Sequence, residues 1–350
     1  MQNIHNYTIS KNSSLKEALI KLNGIPTFLA LFVIDENDKL VGTLTDGDIR
    51  RGLINDISVD EPLDRFYNKD FHYLMINNFT QDDIKKAKEK DIKILPLVDK
   101  KFKIVKLINF RNIKTLLPID AVLMAGGKGI RLRPLTEKIP KPLLQVGTKP
   151  IIEYNIDRLS QFGIQNQYLS INYLANQIKA FCKNKNKAGD INFKFIRETK
   201  PLGTIGSVSL IEDFHNDYIL VMNSDLLTNI DFADMYNSLV SRKADIIVAS
   251  IPYYINLPYA ILDTEDKKVK SFKEKPNYTY FANAGIYIFK KKILNLIPKN
   301  QHFNATDLME SVIQKKLNLI HYPIRTYWLD IGTPEDYEKA QKDISHVKFD

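Results

Sequence analysis

Gly126, Gly127 and Gly129 follow directly on the apolar run Ile119–Ala125. A glycine turn at the carboxyl end of the first strand of an α/β sheet is a place where nucleotides and other anions bind. Without Cβ atoms, the backbone N–H groups can approach a phosphate closely. Arg131, Arg133, Lys138 and Lys141 come next, interleaved with Pro134, Pro140 and Pro142. Prolines so spaced keep the segment out of a helix. Four cations on a stiff loop beside exposed amides call for an anion of several charges, and a triphosphate suits. Two common phosphate motifs do not fit the spacing. A P-loop would need G-x-x-x-x-G-K-[ST], and a dinucleotide fingerprint would need glycine where Leu132 stands. Farther on, Tyr218–Asp225 reads as an apolar strand ending in Asn-Ser-Asp. A carboxylate at such a tip can hold Mg²⁺, which takes few protein oxygens and completes its shell with water and phosphate. It can equally cap a turn or a helix.

These residues need a sheet and connecting helices to hold them. Ile119–Ala125 and Tyr218–Asn223 read as buried strands. Thr333-Pro334-Glu335 reads as a helix start, with proline at the first position. A short helix is expected over Ser207–Ile211 after the turn at Pro201-Leu202. A domain boundary falls near Leu117-Pro118, giving an N-terminal part over 1–117 and a C-terminal part over 118–350.

The pattern Gly127-x-Gly129-x-Arg131-x-x-Pro134-x-Thr136-x-x-x-Pro140-Lys141-Pro142 resembles the signature of the sugar-1-phosphate nucleotidyltransferases. The resemblance covers about 119–337 and implies a Rossmann-like, mixed-sheet nucleotidyltransferase domain of the GT-A-like kind. It implies that Ala125, Gly126, Gly127 and Gly129 cradle the nucleotide, that Arg131 grips the β and γ phosphates, and that Lys141 serves the α phosphate and the sugar phosphate. Asp225 and Asp330, the latter in Trp328-Leu329-Asp330-Ile331-Gly332-Thr333, become the Mg²⁺ carboxylates. Glu198–Ser207 resembles the base-recognition stretch, with Pro201, Gly203 and Thr204 at the nucleotide. Phe272–Pro276 resembles the sugar-pocket segment, with Glu274 on sugar hydroxyls and Lys275 on the sugar phosphate; Asn283 and Gly285 lie near the sugar. His5, His72, His215, His302 and His321 fall outside every motif and read as structural or surface residues. No hexapeptide repeat follows, so acyl transfer is not expected.

The N-terminal part repeats itself at an offset of 64: Val33–Leu53 and Leu97–Leu117 each carry an acidic turn (Asp35, Asp99), then a short alternating strand (Leu40–Leu44, Ile104–Ile108). Helix-like stretches at Leu15–Leu22 and Asp82–Lys90 precede them. Such duplication marks a repeated unit. Gly42-Thr43-Leu44-Thr45-Asp46-Gly47-Asp48 resembles a CBS motif, so the N-terminal part resembles an α/β CBS pair. The resemblance implies an adenine nucleotide held by Thr45 and Asp48, and a tendency to associate as a homodimer. The second copy has Asn109 and Asn112 at the matching positions and Lys106 in place of Gly42, so a packing module without ligand is an equal reading. A short transferase behind a CBS pair resembles bacterial enzymes making GDP-activated amino sugars, glucosamine-1-phosphate guanylyltransferases among them. That favours GTP; UTP, dTTP and CTP enzymes share the same signature.

Composition sets the outer limits. In 350 residues, 50 Lys/Arg and 41 Asp/Glu leave a net charge of +9. The excess is even, 19 basic against 16 acidic residues up to Leu117 and 31 against 25 beyond it. A nucleic-acid binder concentrates such charge, so none is expected as partner. No apolar run approaches the ~20 residues of a membrane helix, and the start lacks the apolar core of a signal peptide. Cys182, the single cysteine, excludes a cysteine-built metal site. A cytoplasmic enzyme is expected.

Overall fold

The computed structural model describes residues 4–25, 30–76, 78–186 and 191–347. They form two compact units, one of the residues up to Leu117 with 161–163, the other of the described residues from Pro118 onward apart from those three.

In the N-terminal unit the offset of 64 is visible atom by atom. Strands Thr8–Ser10, Ala30–Ile34 and Leu40–Thr45 form one three-stranded sheet, and Leu74–Met75, Ile94–Val98 and Ile104–Asn109 form another. In both, the first pairing is parallel and the second antiparallel. Each hairpin has a register shift at the same place, between Val33 and Ile34 and between Leu97 and Val98. Each turn is closed by an aspartate: Asp35 Oδ1 accepts from Asn37 N and Lys39 N, Asp99 Oδ1 from Lys101 N and Lys103 N, all at 2.9 Å. Helices Leu15–Asn23 and Gln81–Glu89 start on reciprocal caps, Ser14 with Glu17 and Thr80 with Asp83. The copies part after the second hairpin strand. Thr45 and Asp48 cap the helix Asp46–Ile54. In the second copy Asn109 Oδ1 accepts from Arg111 N, and a turn replaces the helix.

The C-terminal unit is built on a seven-stranded mixed sheet. Its order is Asn192–Arg197, Asn166–Ile171, Ile119–Ala125, Tyr218–Asn223, Asn277–Lys290, Ile246–Asn256, Leu319–Pro323. The first four are parallel, and Asn277–Lys290 runs against both its neighbours. Strands buried on both faces need continuous apolar runs. Val122, Ile219, Val221, Ile246 and Phe289 supply them, and Leu308 of the helix Ala305–Gln314 packs on this core. Asp120 is fully buried in the first strand yet satisfied, accepting from His215 N, Asn216 N, Asn216 Nδ2 and Asn166 Nδ2. It pins the loop that enters Tyr218–Asn223. The short helix expected over Ser207–Ile211 is a 3-10 turn over 206–210, and Ile205 N and Gly206 N bond across to Phe303 O.

Two strands outgrow the sheet. Ile246–Asn256 and Asn277–Lys290 are buried over 246–250 and 286–289, then run on together as an exposed two-stranded ribbon. A wholly exposed hairpin, Ile261–Glu265 with Lys268–Lys273, forms the tip of this arm. Among the described residues no helix is long and apolar enough to cross a membrane.

Candidate functional site

At the carboxyl ends of Ile119–Ala125 and Tyr218–Asn223 lies a cavity of about 560 Å³. Its wall includes Gly126, Gly127, Lys128, Gly129, Arg131 and Lys141 from the glycine loop, Pro201, Leu202, Gly203 and Thr204 from the turn after Asn192–Arg197, and Asn223, Asp225 and Gly332. Local sequence explains the loop. Gly129 sits at φ +61°, and a Cβ there would come within 3.0 Å of Thr136 and 3.1 Å of Lys141. Thr136 is buried and donates to Gly129 O at 2.7 Å, closing the loop on itself. The following stretch is tied down from outside, where Tyr173 OH donates to Thr136 O and Glu137 O, and Gln177 Nε2 to Lys138 O. The prolines leave only 3-10 turns, at Ile130–Leu132 and Lys141–Leu143.

The acidic side is held as firmly. Ser224 N and Oγ both donate to Met124 O, and Asn155 Nδ2 bridges Ser224 O and Leu226 O. Asp225 is fixed between them. The short strands Leu226–Thr228 and Trp328–Asp330 pair antiparallel, with Leu226 opposite Asp330, and Ile331 N donates to Asp225 O. The two carboxylates therefore share one corner. Lys141 is buried and ion-paired to Asp225 Oδ2. Burial and the neighbouring Asp225 raise the Asp330 pKa against the pull of Lys141 and Arg131. Asp225 Oδ1 and Asp330 Oδ1 are both buried with no hydrogen-bond partner. Unpartnered buried carboxylate oxygens are costly. Two of them in one corner, on hard oxygen donors, fit a divalent cation.

Arg131, Lys141, Asp225 and Asp330 thus come together, with the glycines and Pro201, Gly203 and Thr204. Ala125 is buried just below the loop. Glu274, Lys275, Asn283 and Gly285 do not line the cavity. Glu274 and Lys275 are exposed at the base of the arm's tip. Asn283 is bonded to Tyr287 OH and to Gly285 N. Gly285, at φ +72°, backs onto Asn223, where a Cβ would fall 2.7 Å from Nδ2.

Several wall residues escaped sequence reasoning. His302, read from sequence as structural or surface, lines the cavity. No motif marks it; it arrives because the loop before Ala305–Gln314 is sewn to the 202–206 turn. Phe303 N donates to Leu202 O, Ala305 N to Thr204 Oγ1, and Thr204 N to Asn304 Oδ1. Glu198, Asn172 and Asn223 also line it. Glu198 is buried beside Gly126, accepting from Ser170 Oγ at 2.5 Å and Leu202 N at 3.3 Å. Its signal was present, since it opens the stretch that resembles a base-recognition segment.

In the N-terminal unit, Thr45 and Asp48 are engaged with each other. Asp48 Oδ2 accepts from Thr45 N and Thr45 Oγ1, and Asp48 Oδ1 pairs with Arg51. The Tyr67 ring lies where a Cβ on Gly42 would stand.

Comparison with known proteins agrees with this geometry. The nucleotidyl transferase family model matches residues 120–347, and the CBS domain model matches 3–55, the first repeat. The D-glycero-alpha-D-manno-heptose 1-phosphate guanylyltransferase of Aneurinibacillus thermoaerophilus is 31% identical over 232 residues, 65% of this chain and 99% of that protein. The mannose-1-phosphate guanylyltransferase of Mycobacterium tuberculosis is 28% identical over 232 residues, 65% of this chain and 64% of its own length. The chain thus spans nearly all of the first relative and just under two thirds of the second. A structure described as a glucose-1-phosphate thymidylyltransferase of Bacillus anthracis aligns with a TM-score of 0.54 at 23% identity, over 66% of this chain and 97% of that one, and speaks to the fold alone. The glycine loop, the paired carboxylates and the match over 120–347 make this chain a member of the nucleotidyl transferase family.

Proposed function

We propose that the chain transfers a nucleotidyl group from GTP to a sugar 1-phosphate, releasing pyrophosphate and forming a GDP-sugar. The observation that carries this reading is the corner in which Asp225 and Asp330 each keep a buried oxygen without a hydrogen bond, beside Lys141 and Arg131. The amino sugar glucosamine 1-phosphate is the favoured acceptor, on the CBS-fused arrangement, with a GDP-sugar for bacterial surface glycans as the product's use.

The chemistry asks for position and charge more than for bond-making side chains. An oxygen of the sugar phosphate forms a bond to the α phosphorus. The bond from that phosphorus to the bridging oxygen breaks, and its electron pair leaves on pyrophosphate. The attacking oxygen is already ionised, so no general base is needed. The amides of Gly126, Gly127 and Gly129 and the Arg131 guanidinium receive the triphosphate and the charge that grows on its departing end. Lys141 orients the α phosphate and keeps the two anions within reach. Asp225 and Asp330 would hold Mg²⁺, which supplies charge neutralisation between the two phosphates. Glu274 would serve the sugar hydroxyls and Lys275 the sugar phosphate.

Glu198 supports guanine. This buried carboxylate on the wall beside Gly126 accepts from Ser170 Oγ and Leu202 N, and the second lone pair of each oxygen can accept only from a further donor. Guanine presents two adjacent donors, N1–H and the 2-amino group, whereas uracil and thymine present one donor between two acceptors. Pyrophosphate release with each of GTP, UTP, dTTP and CTP, against a panel of sugar 1-phosphates, tests the whole reading. GTP with glucosamine 1-phosphate is expected to be fastest, and Glu198→Gln should narrow the preference for GTP. Release with UTP, dTTP or CTP alone would replace the guanine reading, and none with any pair would remove the activity.

A further inference from the structure

Among the described residues one imidazole stands on the cavity wall, that of His302. The chemistry above gives it no task. It is exposed, and neither ring nitrogen has a hydrogen-bond partner among the described residues. Its backbone, in contrast, is held on both sides. Phe303 N donates to Leu202 O at 3.0 Å, and Phe303 O accepts from Ile205 N and Gly206 N. Gln301 O lies 2.5 Å from where a Cβ on Gly206 would stand. Phe303 packs on the core of the seven-stranded sheet, while His302 beside it faces the cavity.

Leu202 ties this loop to Glu198. Its N–H donates to Glu198 Oε2 at 3.3 Å, and its C=O takes the bond from Phe303. One residue therefore holds the buried carboxylate on one side and the loop of the imidazole on the other. That end of the cavity is distant from the metal corner. Glu198 follows the edge strand Asn192–Arg197, and Asp225 follows Tyr218–Asn223 three strands away, about 14 Å at the usual strand spacing. A triphosphate seated on the glycine loop and the Asp225 corner leaves its base near Glu198 and His302.

We infer that His302 is a specificity residue for the nucleotide, donating a ring N–H to the acceptor edge of guanine, O6 and N7, while Glu198 accepts from N1–H and the 2-amino group. The inference rests on the guanine reading above. The two side chains are complementary in kind. An ionised carboxylate only accepts, whereas an imidazole always has an N–H to give. Guanine sets its 2-amino group, N1–H, O6 and N7 side by side, so donors meet Glu198 and acceptors meet His302. Adenine and cytosine carry an amino group where guanine carries O6, and an acceptor where it carries N1–H. A site built to pair with one base in this way rejects another by leaving polar groups unpaired.

The test compares GTP with 7-deaza-GTP, which lacks N7, and 6-thio-GTP, in which the O6 acceptor is weakened. Pyrophosphate release by the full chain is read with Mg²⁺ and the best sugar 1-phosphate of the panel above. In the wild type at least one analogue should have its KM raised about fivefold to tenfold. His302→Ala should raise KM for GTP by a similar factor, leave kcat nearly unchanged, and lose the discrimination against that analogue. His302→Gln, which keeps an N–H donor, should recover most of the loss, and His302→Phe, which keeps only a ring face, should not. The loop is held by the backbone of Phe303, so these variants should melt with the wild type. An unchanged KM for GTP in His302→Ala overturns the inference. So does a raised KM with the analogues still discriminated, which would put the ring on the ribose or the phosphates, and so does full recovery by His302→Phe, which would make it a stacking face. A wild type that uses UTP or dTTP and not GTP removes the guanine reading and this inference together, whereas use of GTP with an idle His302 leaves that reading standing.

Discussion

Asp48 in the N-terminal unit and Asp225 in the C-terminal unit both stand just past the end of a strand, and their bonding differs. Asp48 accepts from Thr45 N and Oγ1 and pairs with Arg51, so both its oxygens are occupied by the chain itself. Asp225 gives one oxygen to Lys141 and keeps the other buried and unbonded, as Asp330 does beside it. The first arrangement starts a helix and is complete without a ligand. The second is incomplete, and burial makes that costly. A binding carboxylate is recognised by its unsatisfied capacity, which residue type and spacing do not report.

The sharpest way to break this contrast is Asp225→Asn. Pyrophosphate release should fall roughly 10²–10³-fold; near-normal turnover would show that the unbonded oxygen is idle. Asp330→Asn should lose activity similarly and yet stabilise the cation-free protein by about 0.5–2 kcal/mol at neutral pH. Its carboxyl is already disfavoured as an anion by burial and by Asp225. A thermal melt without divalent ions decides, and a lower melting temperature would contradict the strain inferred at this corner.

Asp245 is the counter-case within the same unit. Burial alone would raise its pKa, but hydrogen bonds from Lys292, Asn318 N and Lys290 bring it down to about 2. A carboxyl held below its unfolded value stabilises above about pH 4 and loses that contribution as pH falls toward 2. Asp245→Asn should therefore cost about 2 kcal/mol at pH 7, with the gap from wild type closing in urea titrations carried toward pH 3. Activity per folded molecule should not change. Smallest is Thr45→Ala, which removes a helix cap worth about 1 kcal/mol and should leave turnover alone. An adenine nucleotide that raises the melting temperature, with the rise abolished by Asp48→Ala, would make the N-terminal carboxylate a ligand site and erase the distinction.

Much of this was legible in the sequence because it is local. The glycine loop, the duplicated hairpins and the helix start at Thr333 depend on residues within a few positions of one another. The pairing of Asp225 with Asp330 came from a family likeness, since 105 positions separate them. His302 needed the fold. Its place at the cavity follows from bonds between segments a hundred residues apart, and no periodicity encodes that. The arm was missed for another reason. Its strands continue the apolar runs of the buried sheet strands, and only the coordinates reveal that none of the described residues covers them.

The seam between the 202–206 turn and the loop at 301–305 limits how this enzyme could be re-engineered. A Cβ on Gly203 would lie 2.6 Å from Phe303 O, and one on Gly206 2.5 Å from Gln301 O. A base-reading segment grafted from a relative with a different nucleotide choice would arrive without its matching half. Chimeras that exchange both stretches together should fold, whereas single-segment swaps should fail at the join before any new specificity can be read.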